Sequence, residues 1–353
     1  MAKTKNRDIP VALEALQLYT KKYPGIWNEC AKIYNTIREN NYLWDDRCYV
    51  PLDVIYCSID TLNRFVYKRN PIQFNECSII TALASWRFYK QIYTFDSDLA
   101  NVLFESASED VNVFDSLTNL PYPSFYIELS DDTIMDCNGM NCYGFFVTID
   151  CNAVPKEHME DEQLTTVNFV GFTQNGRFDC SLIIEEGMTI REAFKKYREL
   201  AIDNNSNISN KELIQSETFI IKAIQLILYL CAINSEITIN PRQKELCNRK
   251  DVTEKLSTPK DVLREVVKHD VGYRIGKAIR LSRDLQERES TKKHFFGSSK
   301  SKSPHVRRGH YHHYWVGSKK DRHLELRWTP PTFIHSENYN MDNNLAVITP
   351  VKK

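Results

Sequence analysis

Six of the nine histidines of this 353-residue chain lie between Ser303 and Ser336, most of them beside arginines and aromatic residues. The densest stretch runs from Pro304 to Trp315 and reads PHVRRGHYHHYW. Imidazoles titrate near neutral pH, guanidinium groups bind phosphate oxygens, and aromatic rings stack on bases. This stretch therefore indicates a site for phosphate chemistry or nucleic-acid binding.

The sequence around these histidines predicts an antiparallel hairpin. Residues 306–316 and 322–328 are β-like runs joined by a Gly-Ser-Lys-Lys-Asp segment. Because side chains alternate across a strand, the first strand would place Arg308, His310, His312 and Tyr314 on one face and Arg307, Tyr311, His313 and Trp315 on the other. If Tyr311 and Trp315 are buried, the histidines of the opposite face are accessible beside Glu325 and Arg327.

Such a face has the groups that metal-free RNA cleavage needs. One group must remove a proton from the ribose 2′-hydroxyl, a second must protonate the leaving oxygen, and cations must stabilise the charge on the phosphate. His310 and His312 are the predicted acid–base pair, and Arg308 is the predicted phosphate clamp. The predicted RNA-binding residues are Arg307, Tyr311, Tyr314, Arg327 and His305.

Three other interpretations of the hairpin remain open. His310 and His312 could bind zinc together with His305 or His323, although no cysteine pair or aspartate cluster lies nearby in the sequence. The face could bind nucleic acid without cleaving it, with arginines on phosphates and rings on bases. It could also be an internal hydrogen-bond network that only fixes the fold. No cofactor is predicted, and the predicted core residues here are Trp315, Trp328 and Phe333.

The zero net charge of the chain conceals an asymmetry. Residues 242–328 have 23 Lys and Arg against 11 Asp and Glu, whereas residues 1–241 have 21 against 33. The net charges of these two regions are therefore +12 and −12. A basic region of this kind suits a polyanion such as RNA, and the acidic remainder suits a different partner. The alternative is that the two regions attract each other within the molecule.

Hydrophobic periodicity predicts helices in the N-terminal part of the chain and strands after them. Residues 10–105 have apolar residues at helical spacings, including a helix from Cys77 to Tyr93. Asn175 and Gly176 give a hairpin-turn signal between two β-like runs. Four runs rich in aromatic and β-branched residues predict an antiparallel sheet, at residues 124–129, 143–151, 165–172 and 178–185.

Helices are predicted again after the sheet. Thr189 and Glu192 form a capping-box pattern before a helix over residues 190–202, and a second, apolar helix follows over 211–234. Residues 261–289 indicate a basic helix, between loops at 240–260 and 294–303. The predicted fold class is therefore α+β. Its predicted parts are an N-terminal helical region (1–110), a core of central antiparallel sheet and packed helices (111–240), a basic C-terminal unit with a helix and the β-hairpin (241–336), and a tail (337–353).

The cysteines and the N-terminus bear on the cellular compartment. No CxxC pair occurs among the ten cysteines, and the first ten residues, MAKTKNRDIP, do not form a secretory signal. We therefore expect reduced thiols and a cytoplasmic protein. The longest apolar run, residues 219–233, is shorter than the roughly 20 residues that cross a bilayer, so no membrane span is predicted.

The C-terminal block also resembles a known family. Residues 303–336 are similar to the C-terminal signature of type V-A anti-CRISPR proteins, PHxRRGHxHxYWxG followed by a charged spacer and LRWxPPxFxN. Weaker similarity extends upstream to about residue 80. His313 and His335 stand where the family more often has another residue, so they are assigned no catalytic role, and Tyr311 replaces a Trp. The positions that match are Arg307, Arg308, His310, His312, Tyr314, Trp315, Arg327 and Trp328.

Members of that family are small proteins of phages and mobile elements that counter the single-chain type V CRISPR nuclease. The resemblance implies that the protein recognises the N-terminal segment of the nuclease as it emerges in translation, and that the corresponding message is lost. It implies a nascent CRISPR nuclease, or a similar segment, as the protein partner, and RNA or the ribosome at the hairpin. A ribonuclease, an adaptor that recruits host nucleases and a plasmid or phage regulator that binds nucleic acid remain the alternatives.

Overall fold

The structure, a computed structural model of the chain, describes thirteen stretches of residues. They are 10–106, 108, 110–117, 120–130, 133, 135–137, 140–158, 164–174, 176–203, 210–239, 266–293, 305–318 and 322–334. The predicted loops at 240–260 and 294–303 and the predicted tail at 337–353 lie outside the described residues.

The described residues include nine α-helices and fourteen strands. The helices are α1 (Val11–Lys22), α2 (Ile26–Glu39), α3 (Leu52–Phe65), α4 (Cys77–Tyr89), α5 (Ser97–Phe104), α6 (Val113–Leu117), α7 (Ile190–Asp203), α8 (Asn210–Cys231) and α9 (Tyr273–Lys293). The strands are β1 (Tyr42–Leu43), β2 (Gln91–Phe95), β3 (Ser124–Glu128), β4 (Asp136–Cys137), β5 (Met140–Cys151), β6 (Val154–Pro155), β7 (Thr165–Thr173), β8 (Gly176–Ile184), β9 (Ile237–Ile239), β10 (Val267–Val271), β11 (His305–Arg307), β12 (His310–Val316), β13 (His323–Thr329) and β14 (Thr332–Ile334). The predicted α+β fold class is confirmed.

One mixed sheet forms the centre of the protein, with the strand order β8-β7-β5-β3-β2-β10-β9 and with β4 pairing to β5. The four predicted strands, β3, β5, β7 and β8, pair antiparallel, as their turn signals indicated. Two strands that the sequence did not predict, β2 and β10, run parallel to each other, and β2 also runs parallel to β3. The strands come from the first, second and third of the predicted regions.

Alternating side chains of this sheet feed two separate hydrophobic cores. Phe145 and Val147 of β5 point to one side, whereas Phe146 between them points to the other. Helices α1 to α4 cover the Phe146 side. Helices α5 to α8 cover the opposite side, where Tyr311, Leu326 and Trp328 join the core. The result is a three-layer arrangement with the hairpin strands β12 and β13 packed outside α8.

The predicted helix from Cys77 to Tyr93 is too long, because α4 ends at Tyr89. Lys90 adopts a left-handed backbone with φ of 47°, which ends the helix, and β2 begins at Gln91. Tyr93 therefore lies in a buried strand. A short apolar run fits a buried strand as well as a helix, so periodicity alone could not place this boundary.

The predicted basic helix over 261–289 is also wrong at its start. Val267–Val271 form β10, and α9 begins only at Tyr273. Gly272 joins them with a φ of +71°, a left-handed conformation that favours glycine. The predicted helices 190–202 and 211–234 are confirmed as α7 and α8. The capping box is confirmed too, since the Glu192 carboxylate accepts hydrogen bonds from the Thr189 backbone N–H and hydroxyl.

Helix α8 includes a stretch, Leu213–Cys231, that is long and apolar enough to cross a membrane by length and composition. Core helices of globular proteins pass the same test. Here Phe219, Ala223 and Leu230 are buried against the sheet, together with most of the residues between them. The burial accounts for the apolar character of the helix.

Charged groups join α9 to α5. The side chain of Asp96 accepts hydrogen bonds from the first backbone N–H groups of α5, and Asp98 forms ion pairs with Arg280 and Arg283. Arg280 also lies 3.2 Å from a carboxylate oxygen of Asp96. Basic side chains of the C-terminal region thus neutralise carboxylates of the acidic region. On this face of α9, the basic and acidic regions therefore attract each other within the molecule, which is the alternative explanation of the charge asymmetry.

Gly276 lets α9 approach α5 this closely. A Cβ atom at this position would overlap the carboxylate of Asp96. Replacing glycine with alanine inside a helix ordinarily stabilises by about 1 kcal/mol. Here we expect Gly276→Ala to lower the free energy of unfolding by about 1–3 kcal/mol, because the overlap forces the helices apart. Urea unfolding followed by circular dichroism measures the change, and a stabilised variant would contradict the packing.

Candidate nucleic-acid interface

The predicted histidine hairpin is present as β12 and β13. Its register places His312 opposite Arg327 and Tyr314 opposite Glu325, so these four side chains share a face. The first predicted strand is longer than the observed one. It is interrupted at Arg308 and Gly309, and the preceding residues form β11, which pairs with β14 instead of β13.

The inner face of the hairpin anchors it to the core at one end. Tyr311 and Trp328 lie opposite each other and are 5% and 3% exposed. The Tyr311 hydroxyl donates to the backbone carbonyl of Gln225 on α8, and the Trp328 ring meets the Tyr229 ring edge-on at 5.4 Å. Asn234 holds the backbone of Trp328 through both its N–H and its carbonyl oxygen. These contacts attach this end of the hairpin to the core.

Gly309, at the break before β12, fits into this anchor. A Cβ atom there would lie 3.0 Å from the Ser106 hydroxyl oxygen and 3.2 Å from the carbonyl oxygen of Thr329 and from the indole nitrogen of Trp328. A larger residue would push the strand off the core. In the Arg-Arg-Gly-His sequence, the glycine is therefore required for packing, and the residues on either side of it carry the charged and titratable groups.

The outer face carries the predicted acid–base pair. The rings of His310 and His312 lie 5.0 Å apart between centroids, with an angle of 87° between their planes. His312 is exposed and His310 is half-buried. The next ring on this face, Tyr314, is 6.1 Å from His312 and 46% exposed. Two imidazoles and a phenol thus form one accessible row, as strand alternation predicted.

Arg327 stands beside this row. One of its terminal nitrogens donates to Glu325 at 3.1 Å, and its guanidinium carbon lies 5.6 Å from the Tyr314 ring centre. The Arg327 Nε is buried and has no hydrogen-bond partner among the described residues. Glu325 also approaches the His323 ring at 3.5 Å. Its carboxylate thus offsets much of the Arg327 charge.

Other predicted site residues are less well placed or less fully described. Arg308, the predicted phosphate clamp, is exposed at the strand break and forms no ion pair within the described parts of the chain. His305 and Arg307 lie in β11, but their side chains are outside the description. His313 faces the core side, where its Nε2 is 3.4 Å from the Ser116 hydroxyl.

Two predictions about aromatic residues need correction. Tyr311 was predicted to contact RNA, but its ring is buried and its hydroxyl is bonded to α8, so no base can reach it. Trp315 was predicted to be buried, yet it is 67% exposed. The inner face is covered only where α8 runs beneath it. Trp328 is confirmed as a core residue, and the side chain of Phe333 is not described.

The zinc interpretation can be tested against the strand register. His323 lies opposite Val316, at the other end of the hairpin from His310, so it cannot complete a site with His310 and His312. Within the described ranges, no three His, Cys, Asp or Glu side chains are grouped to hold a metal ion. The side chain of His305, the other residue of this interpretation, lies outside the described residues.

A buried histidine that the sequence did not single out lies in the central sheet. The Nε2 of His269 in β10 is 2.6 Å from the side-chain oxygen of Gln91 in β2. Its ring stacks on Tyr93 at 4.6 Å, and its Nδ1 has no partner in the described part of the structure. Burial lowers the pKa of His269 from 6.5 to about 4. The histidine is therefore neutral at physiological pH and structural in character.

This histidine predicts a pH dependence of stability. The folded protein binds the His269 proton less tightly than the unfolded chain, so the contribution is complete above pH 6.5 and is lost as the pH falls toward 4. Asp150, whose pKa burial raises to about 6, acts in the opposite direction. We therefore compare the protein with His269→Gln, which keeps the hydrogen bond to Gln91. The difference in unfolding free energy should shift by roughly 3 kcal/mol at most between pH 6.5 and 4.

Urea unfolding at several pH values measures that difference. The unmodified protein should lose stability relative to His269→Gln as the pH falls. A constant difference over this range would show that the ring titrates normally and is not held in its buried, neutral form.

Comparison with known proteins identifies the family. The AcrVA2-like family model, described as the anti-CRISPR type V subtype A2 family, matches residues 93–336. The structure is also similar to one titled "Crystal structure of AcrVA2", with a TM-score of 0.58 and 18% sequence identity over 91% of this chain and 97% of that one. No curated protein matches the sequence. The structural match covers more of the chain than the family model and so extends into the N-terminal helices. Because the family model spans more than half of the chain, the protein belongs to the AcrVA2-like anti-CRISPR type V subtype A2 family.

Proposed function

We propose that this anti-CRISPR protein lowers the production of a type V CRISPR nuclease by recognising the nuclease as it is translated and causing loss of its message. In this proposal the outer face of the hairpin is the RNA-facing site. The observation that carries it is the accessible row of His310, His312 and Tyr314, held on strands that are anchored to the core. A row of rings with adjacent arginines is suited to single-stranded RNA.

The chemistry of the row supports a role in proton transfer or hydrogen bonding to RNA. Imidazoles can both donate and accept protons near neutral pH, and two of them act side by side here. Arg308 is exposed and has no ion-pair partner among the described residues, so its guanidinium is available to a phosphate group. These groups would contact the message or the ribosomal RNA next to it.

Recognition of the nascent chain would fall to the acidic remainder of the protein. Residues 1–241 carry a net charge of −12, which does not suit RNA but suits a basic peptide. Translation takes place in the cytoplasm, and the proposal places the protein there. It separates the two partners, with the nascent segment on the acidic body and RNA or the ribosome at the hairpin.

The proposal is tested with a reporter message in bacterial cells that produce the protein. One reporter begins with the codons of the nuclease N-terminal segment, and its control carries the same nucleotides shifted out of frame. We expect the in-frame message to fall and the shifted message to persist, because the peptide and not the RNA sequence is recognised. An equal fall of both messages would contradict nascent-chain recognition.

A second candidate function, an adaptor without nuclease activity, is favoured by the pairing of Arg327 with Glu325. Cleavage of RNA builds negative charge on the phosphate, and a guanidinium already neutralised by a carboxylate stabilises that charge less well. Incubating the purified protein with RNA, with and without chelator, separates the mechanisms. Chelator-resistant cleavage supports the histidine pair as acid and base, and chelator-sensitive cleavage indicates a metal site. The absence of cleavage supports the adaptor.

A further inference from the structure

The hairpin extends beyond the part of the core that covers it. Tyr311 and Trp328 are buried at the anchored end of the hairpin. Toward the connecting turn, the strands extend past the end of α8. Trp315 and Leu324 face each other there on the same inner side. Trp315 is 67% exposed and Leu324 is half-buried. An apolar surface is thus open on the side of the hairpin opposite the histidine row.

A cleft of about 610 Å³ lies beneath this exposed end of the hairpin, between the hairpin, α6 and the end of α8. Its apolar walls include Trp315, Leu324 and Ile233, and its polar lining includes Ser116, His313 and Arg322. The volume is in the range of pockets that hold a small molecule or a single nucleotide. The cleft is therefore large enough for a planar ring to lie against the indole.

One polar group of the cleft, Arg322, suits a phosphate. Arg322 is exposed and has no ion-pair partner within the described residues, so its charge is available to a phosphate group. Ser116 and His313 contact each other at 3.4 Å on the inner wall, and the Ser116 hydroxyl donates to the backbone carbonyl of Asn112. Among the described residues of the lining, Glu325 is the one carboxylate, and it is already engaged by Arg327 and His323. The hairpin that forms one wall of the cleft belongs to residues 242–328, whose net charge is +12.

We propose that this cleft binds an unpaired base of single-stranded RNA, stacked on Trp315, with Arg322 on an adjacent phosphate. The inference rests on the proposed function and specifies its RNA site. A strand of RNA that crosses the edge of the hairpin contacts the histidine row on one face and Trp315 on the other. The base adds stacking energy that is independent of sequence, because every base has an aromatic face.

Intrinsic fluorescence can report on the cleft directly. The other four tryptophans of the chain are at most 9% exposed, so Trp315 is the one that solvent and ligands reach. We expect a short oligouridylate to quench the fluorescence of the unmodified protein and to have little effect on Trp315→Phe. Phenylalanine keeps a ring for stacking, so this variant should retain most of the affinity for RNA.

Affinity is measured separately by the anisotropy of a labelled oligouridylate at fixed salt. Trp315→Ala should weaken binding about 5- to 150-fold, the range expected for the loss of one base–aromatic stack. Phe65→Ala is the matched control, since Phe65 is 70% exposed at the end of α3 and should leave the affinity unchanged. Arg322→Gln should reduce the slope of log Kd against log salt concentration by about 0.7.

The outcomes separate this inference from the proposed function. Equal RNA affinity in Trp315→Ala and the unmodified protein would overturn the cleft as an RNA site but leave the histidine row as the RNA-facing surface. If the nuclease N-terminal peptide quenches Trp315 and RNA does not, the cleft is a peptide site and the proposed RNA site is overturned. If the unmodified protein binds no RNA at all, both the cleft and the RNA-facing hairpin are wrong.

Discussion

A variant in which His310 and His312 are both alanine is expected to lose its effect on the message, by about 100-fold or more if the pair transfers protons. Both rings lie on the outer face, opposite the buried side chains of Tyr311 and Trp328, so the fold should be retained. Substitutions at such surface positions usually change the free energy of unfolding by less than about 0.5 kcal/mol. Message levels and a thermal unfolding curve, measured on the same variant, check the two expectations.

The matched control is the double variant His310→Gln, His312→Gln. Glutamine can donate and accept hydrogen bonds but cannot titrate. If the histidines act as acid and base, the alanine and glutamine variants should be equally inactive. If they only bind RNA, the glutamine variant should keep much of its activity. Full activity in the alanine variant would remove the histidine row from the mechanism.

Trp328→Ala is expected to lower the free energy of unfolding by about 3–5 kcal/mol, the usual cost of truncating a buried aromatic residue. Its ring packs on Tyr229 of α8, and its indole nitrogen donates to the Ser106 hydroxyl at 3.3 Å. The loss would leave a cavity where the hairpin meets the core. Urea unfolding, monitored by far-ultraviolet circular dichroism, measures the effect.

Trp315→Ala supplies the matched control, because it removes the same side chain from the same hairpin. Trp315 is exposed, so its loss should change the free energy of unfolding by no more than about 0.5 kcal/mol. Similar losses for the two variants would mean that the hairpin is not anchored at one end and open at the other. The pair therefore tests the geometry on which both the proposed site and the cleft depend.

The faces of the hairpin could be predicted because strand alternation is a local rule. The parity of His310, His312 and Tyr314 needs only an extended backbone, and the register confirms that Arg327 and Glu325 join them. Burial is different, because it depends on what covers the strand. Trp315 and Tyr311 have the same parity, yet one is 67% exposed and the other 5%. Where α8 ends relative to the hairpin cannot be read from either segment.

The central sheet shows the same limit. The strands β3, β5, β7 and β8 were predicted, and each pairs with the next of them along the chain. Strand β2 begins one residue after α4 ends, and β10 is a short run, Val-Lys-His-Asp-Val, whose three central residues are polar. The pairing of β2 and β10 joins residues that are distant in sequence. Such pairing depends on the assembled sheet and leaves no local signal.

That distant pairing has a consequence for the synthesis of the protein itself. Strand β10 lies between β2 and β9, so until Val271 has been made, β2 pairs with β3 on one side only and its other edge is open. The helical layer and the β3-β5-β7-β8 part of the sheet can assemble earlier, because their partners are nearer in the chain. Chains truncated before β10 would expose the β2 edge and tend to aggregate. Folding to a soluble product thus depends on the last third of the sequence.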